Sequence, residues 1–195
     1  MDFAPDAGIA KRCIDKAECF SVYSRAYINT NEDLHLSMKY IPRNCNMALT
    51  VAGSGDHPLF CSLYGAKHVD TFDISYNAKC LMDIKTAALT QLNRTEYSQL
   101  LTDLYTCSDI KNVAFMKKIS QQLPQMEYKY LCDMKGYFVF RRGELADLDN
   151  AETAGFALTK PEYNKLRQIV KQSYSCKIID IVDLGHSLTE SYDFI

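Results

Sequence analysis

The sequence carries no surplus of charge of either sign. Its 22 Lys and Arg against 24 Asp and Glu leave a net charge of −2 at pH 7, without the basic footprint that nucleic acid or an anionic membrane selects. Long apolar runs are missing as well. There is no N-terminal basic-then-apolar segment and nothing approaching the ~20 apolar residues of a membrane span, so the chain reads as cytoplasmic. The eight cysteines are scattered singly, with no CxxC pair and no companion histidine spacing, which favours reduced thiols over a disulfide framework. Cys61, Cys80 and Cys176 stand among apolar neighbours and are expected to pack as small hydrophobes. His35, His68 and His186 show no HxxxH, HxH or His-plus-carboxylate spacing, so no metal site is expected. The absence of GxSxG removes the commonest serine-hydrolase signature. The absence of a lysine after the glycines removes the Walker loop of nucleoside triphosphatases.

What is present is the composition of an ordinary folded domain. The 195 residues are 47% apolar and 24% charged, enough to bury a core as a single α/β domain with an insertion. Residues 1–46 read as an N-terminal helical cover. Within it Thr30, with Asp33 in the first turn, resembles an N-cap. The helix it opens spans about three turns, carrying Leu34, Met38 and Ile41 until Pro42 stops it. Residues 47–93 are the centre of the pattern. Ala48 to Ala52 is short and nearly all apolar, as a parallel strand buried on both faces should be. Gly53-Ser54-Gly55-Asp56 turns the chain, and Pro58 stands where the first turn of a helix tolerates proline. That helix ends near Gly65. His68 to Asp73 is a second strand, ending on an acid. From Tyr76 to about Leu92 a helix follows with Leu81, Ile84 and Ala88 on one face, and Asn93 fits the turn that ends it.

Residues 94–160 read as a mostly helical insertion. Tyr97, Leu100, Leu101, Leu104 and Tyr105 mark one amphipathic helix, and another segment from Asp109 to Gln122 precedes Pro124. The run from Gly136 to Phe140 fits a strand or a buried helix turn, and periodicity does not choose between them. Thr159-Lys160-Pro161-Glu162 is a capping box opening a helix with Tyr163, Leu166 and Val170 on one side. Cys176 to Val182 is the third strand expected, ending on Asp183, and Tyr192 to Ile195 looks like the start of a fourth. A parallel sheet stopping there leaves an open edge, so either a longer protein or another chain, such as a second copy, is expected to complete it.

Strand, glycine turn, helix, strand and terminal acid is the order of a nucleoside-binding βαβ unit. Gly53 and Gly55 remove side chains where a ligand can approach. A dinucleotide site wants a third glycine three residues after Gly55, and Pro58 stands there. Asp73, 18 residues beyond Gly55, has the spacing of an acid that accepts hydrogen bonds from ribose hydroxyls. His57 has two readings: a general base at the pocket mouth, or a helix-start residue that only hydrogen-bonds the turn.

Leu49 to Leu59 and Gly65 to Ser75 resemble the start of class I S-adenosylmethionine-dependent methyltransferases. They are closer still to the branch similar to S-adenosylmethionine:diacylglycerol 3-amino-3-carboxypropyltransferase and its bacterial relatives. That branch has a small-residue turn ending in Gly-Asp, an acid-ended second strand and a helix with a Leu-Lys pair, here Ile84-Lys85. Asn31-Glu32-Asp33 is similar to its upstream acidic motif. Two positions depart from the wider methyltransferase pattern: Val51 replaces the opening acid and His57 the last glycine. The resemblance implies a Rossmann-like parallel sheet flanked by helices and S-adenosylmethionine as cofactor. Gly53, Ser54, Gly55 and Asp56 would lie against its methionine end, Asp73 and Ile74 at the ribose, and Asp183 with Leu184 at the adenine. The activity implied is transfer of a methyl or 3-amino-3-carboxypropyl group to a small-molecule or lipid acceptor. The alternatives are a nucleoside-binding protein without turnover and, against Pro58, a nicotinamide-dependent oxidoreductase.

Overall fold

The computed structural model describes residues 3–17, 21–30, 32–137, 139–141, 158–170 and 174–195. Asn31, Phe138 and residues 142–157 lie outside them. The chain is an α/β protein with a small three-stranded parallel sheet flanked by helices. Among the described residues no helix is long and apolar enough to cross a membrane.

The N-terminal cover is only partly helical. Helix α1 (Ala7–Asp15) is capped by Asp6, whose carboxylate accepts from Ile9 N–H. Strand β1 (Ala26–Tyr27) follows, then α2 (Leu34–Met38). The expected helix of about three turns is thus a five-residue one, and its cap is Asp33 itself, accepting from Leu36 N–H. Thr30 instead accepts from Glu32 N–H. Leu34, Met38 and Ile41 are buried as the spacing predicts.

The central unit follows the sequence closely. Strand β2 (Met47–Val51) leads through the glycine turn into α3 (Asp56–Leu63), then β3 (His68–Asp73) and α4 (Tyr76–Gln91). Helix α3 closes in a Schellman arrangement with Gly65 at φ +111° and Ala66 N–H donating to Cys61 O. Helix α4 is more than amphipathic. Leu81, Ile84 and Ala88 are buried, but so are Asn77, Met82, Lys85 and Leu89, because residues beyond it cover its outer face. The buried Asn77 amide donates to the carbonyls of Tyr23 and Ser24 and accepts from Tyr130 Oη, lacing the N-terminal segment over the start of α4.

Residues 94–137 are helical but broken. Helix α5 (Arg94–Thr106) buries Tyr97, Leu100, Leu101 and Leu104, while Tyr105 stays exposed. Asn93, expected as a terminator, is the N-cap of α5 in a full capping box with Glu96. The single segment expected from Asp109 to Gln122 is a 3₁₀ turn, the short α6 (Met116–Ile119) and a second 3₁₀ turn. The break falls at Phe115, in the left-handed region at φ 63°, which no helix can carry. Helix α7 (Gln125–Asp133) is tied to α4 through Lys79, which bridges Asp83 and the buried Glu127. Of the run from Gly136 to Phe140, only Phe140 enters a strand, β4 (Phe140–Arg141), paired in parallel with β1, and Phe138 lies outside the described residues. Helix α8 (Lys160–Ile169) opens with the Thr159–Glu162 capping box and buries Tyr163 and Leu166, with Val170 buried just beyond its end. It packs on α3 and α4.

The C-terminal part needs one correction. Strand β5 (Ser175–Ile178) is shorter than expected, and the residues assigned to its end form α9 (Ile181–Ser187). Asp180 is the reason: its carboxylate accepts from Val182 N–H and starts a helix where a strand was expected. Asp183 and Leu184 therefore stand on α9 rather than at a strand end, Asp183 exposed and Leu184 buried. The sheet runs β2-β3-β5, with Val51 opposite Phe72 and Asp73 opposite Ile178. On the far side of β2 the chain returns, where Phe194 bridges Ala48 in parallel and its carbonyl accepts from Leu49 N–H. The Asp193 carboxylate, held below its ordinary range by the N–H groups of Asn46 and Met47, anchors that return.

Two glycines separate backbone need from close packing. Gly55 has φ +82°, and a Cβ there would stand 2.9 Å from Met82 Cα; Gly65 has φ +111° and nothing within 4 Å. Both substitutions to alanine carry the left-handed penalty of ~1–2 kcal/mol. Gly55→Ala is expected to cost a further ~1–3 kcal/mol of overpacking, read as the difference between the two variants in urea denaturation.

Candidate functional site

The turn after β2 is shaped by glycine. Gly53 and Gly55 both take positive φ, 52° and 82°, and Gly55 N–H closes the turn on Ala52 O at 2.7 Å. This brings the N-terminus of α3 to the carboxyl end of the sheet. Ser54 turns inward and is buried. Its hydroxyl donates to Asp56 Oδ2 at 2.7 Å, so it is committed to the protein.

Asp73 clamps the turn from the neighbouring strand. One carboxylate oxygen accepts from Gly53 N–H at 2.8 Å and the other from Ser75 N–H at 2.8 Å, with Ile74 N–H turned towards it as well. A carboxylate has about four acceptor positions, so these three donors leave one position unused. Burial raises its pKa despite these main-chain donors and the nearby His57.

Asp56 has a different part. Its Oδ1 lies 2.5 Å from Lys85 Nζ, and its Oδ2 accepts from Thr30 N–H at 3.1 Å as well as from Ser54. Lys85 is fully buried, and desolvation pulls its ammonium below the ordinary range against the pull of Asp56. The Gly-Asp ending of the turn and the lysine of α4, separate features in the sequence, are two ends of one buried ion pair. The pair leaves Asp56 no oxygen free of a protein donor.

His57 begins α3 beside the turn. Its Nε2 lies 2.9 Å from Glu32 Oε2, while its Nδ1 is buried with no partner among the described residues. The sequence weighed His57 alone; its link to Glu32 spans 25 residues and carried no local signal beyond the acid itself. Gly53, Ser54, Gly55, Asp56, Asp73 and Ile74 are thus gathered at one end of the sheet, with His57, Glu32 and Lys85 around them. Asp183 and Leu184 are on α9, which packs against β3.

Other candidates are chemically quiet. Seven cysteines are free among the described residues; Cys61 and Cys80 are fully buried, and burial pushes the Cys61 thiol up to about 12. Cys176 is half-buried. Among the described residues no three His, Cys, Asp or Glu side chains converge as metal ligands do. A shallow depression lined by Ser62, Lys67, His68, Asp70, Tyr174 and Ser175 lies at the opposite end of the strands from the glycine turn. A scan of protein-family models and searches of curated proteins and of solved structures found no match to the chain.

The Asp56–Lys85 pair is testable by stability. Lys85→Met strands a buried carboxylate and is expected to cost ~3–5 kcal/mol in urea denaturation. The double variant Asp56→Asn/Lys85→Met is expected to regain part of that loss. A cost below ~1 kcal/mol for the single variant, the scale of an exposed pair, would contradict the assignment.

Proposed function

We propose that the protein binds S-adenosylmethionine at Gly53–Gly55 and transfers its methyl or 3-amino-3-carboxypropyl group to a small-molecule or lipid acceptor. The observation that carries this reading is the position of the turn in the sheet. From β2 the chain builds outward through β3 to β5, then returns to the other side of β2 at Phe194. The glycine turn thus leaves the strand at which the order reverses, and ligands of open α/β sheets bind outside the carboxyl ends at that point.

The residues fit the group in three respects. Gly53, at positive φ, carries no side chain towards a ligand, while the bare face of Gly55 is taken up by α4 at Met82 and Lys85. Asp73 keeps acceptor capacity for a ribose hydroxyl. Pro58, in the first turn of α3, replaces the glycine that a pyrophosphate site would need, which favours a nucleoside over a dinucleotide. When bound, the sulfonium supplies an activated electrophile with a neutral leaving group. The chain's own task is then positioning: Asp73 orients the sugar and the Asp56–Lys85 pair keeps the turn from shifting. The resemblance of residues 49–75 to the aminocarboxypropyl branch supports the longer transferred group.

One observation favours a second reading, binding without turnover. The side chains of Ser54 and Asp56 are consumed by each other, by Thr30 and by Lys85, so neither faces an acceptor as an acid or base.

Calorimetric titration with S-adenosylmethionine, S-adenosylhomocysteine and methylthioadenosine tests the proposal. All three share the ribose. Asp73→Asn is expected to weaken each by ~10-fold or more, the scale of one hydrogen bond to a charged group. No heat from any of them with the unaltered protein at millimolar concentration would contradict it. Assay of methylthioadenosine against S-adenosylhomocysteine after incubation with acceptors separates the two transfer chemistries, and formation of neither favours the binding protein.

A further inference from the structure

The imidazole of His57 has one nitrogen the protein uses and one it does not. Nε2 lies 2.9 Å from Glu32 Oε2. A carboxylate only accepts, so Nε2 carries the proton, and in the neutral ring Nδ1 is then an acceptor. The His57 side chain is 10% exposed, and Nδ1 is buried without a partner among the described residues. Buried polar atoms without partners are rare in folded proteins, and each calls for a specific cause.

The orphan nitrogen is aimed at the glycine turn. A Cβ built on Gly53 would lie 3.4 Å from it, with His57 Cε1 at 3.7 Å and Val51 Cγ1 at 3.9 Å as the next neighbours beyond the turn itself. The face that Gly53 leaves bare is therefore floored by His57 Nδ1, an acceptor in the neutral ring. A second buried acceptor without a partner among the described residues, Asn29 Oδ1, precedes Thr30, whose N–H is held by Asp56. The charges point the same way. Lys85 is neutralised by Asp56, which leaves Glu32 and Asp73 as the remaining acids around His57. Acceptors under negative potential recognise a cationic donor, and they disfavour a carboxylate or phosphate.

Resting on the reading that S-adenosylmethionine binds at this turn, we propose that His57 Nδ1, oriented by Glu32, accepts a hydrogen bond from the α-ammonium of the ligand's amino-acid tail. The contact would fix how that tail is turned, and so which carbon bonded to sulfur faces the acceptor. His57 is then a ligand-binding residue and Glu32 a positioning residue acting through it.

Calorimetry with S-adenosylhomocysteine, which has the tail, and methylthioadenosine, which lacks it, tests the assignment. His57→Gln places its amide near the Nε2 position, within reach of Glu32, and removes the acceptor at Nδ1. It is expected to weaken S-adenosylhomocysteine ~10-fold, about 1.4 kcal/mol, and to leave methylthioadenosine unchanged. His57→Asn puts an amide oxygen where Nδ1 was and is expected to retain most of the affinity. On the unaltered protein, the deaminated analogue of S-adenosylhomocysteine is expected to bind ~10-fold more weakly than the parent, a measurement that needs no variant to fold. Unchanged S-adenosylhomocysteine affinity in His57→Gln, or an equal loss for methylthioadenosine, overturns the proposal while leaving nucleoside binding intact. Equal affinity of the deaminated analogue and its parent does the same. Failure of the unaltered protein to bind any of these ligands overturns both readings.

Discussion

A buried ion pair holds the centre of this protein together. Lys85 reaches from the middle of α4, with no exposed surface, to an Asp56 carboxylate at the start of α3. Taking two charges out of water is costly unless each finds full hydrogen bonding. Asp56 meets that condition by also accepting from Ser54 and Thr30. The requirement therefore ties three remote stretches: the segment before α2, the glycine turn and α4. Gly55 fits the same constraint, because its bare Cα lets the turn approach the backbone of α4 at Met82.

Around that fixed point the other acids take separate parts. Asp73 braces the turn through Gly53 N–H and keeps an acceptor position in reserve; Glu32 sets the tautomer of His57. A turn held from two sides would lose little conformational entropy on binding the proposed ligand, which is how preorganised sites gain affinity. The sheet puts this turn where the strand order reverses, so fold and site arise from one topological feature.

The central unit was legible because local signals and tertiary demands agree there. The apolar run of β2, the two glycines, Pro58 and the acid closing β3 each point to the structure observed. Misreadings came where one polar side chain decided a boundary. Asp180 converts the expected end of β5 into α9, and Asp33 caps a helix that ends early; Asn93 stands in the break after α4 as expected and also opens α5. The left-handed Phe115 gave no warning, since a positive φ at an aromatic residue is set by packing. Of the site, the residues of the turn and Asp73 were legible from spacing. The Asp56–Lys85 and Glu32–His57 pairs were not, because contacts across 29 and 25 residues leave no periodic trace.

The central claim is that the glycine turn is where the protein meets its ligand, and amide resonances of the isotope-labelled protein titrated with S-adenosylhomocysteine test it most directly. The account predicts the largest shifts at Gly53, Gly55 and Asp73 to Ser75, with weaker ones along α3. Absence of shifts at those amides, or their concentration around Ser62, Lys67 and Tyr174 at the opposite end of the strands, would contradict it.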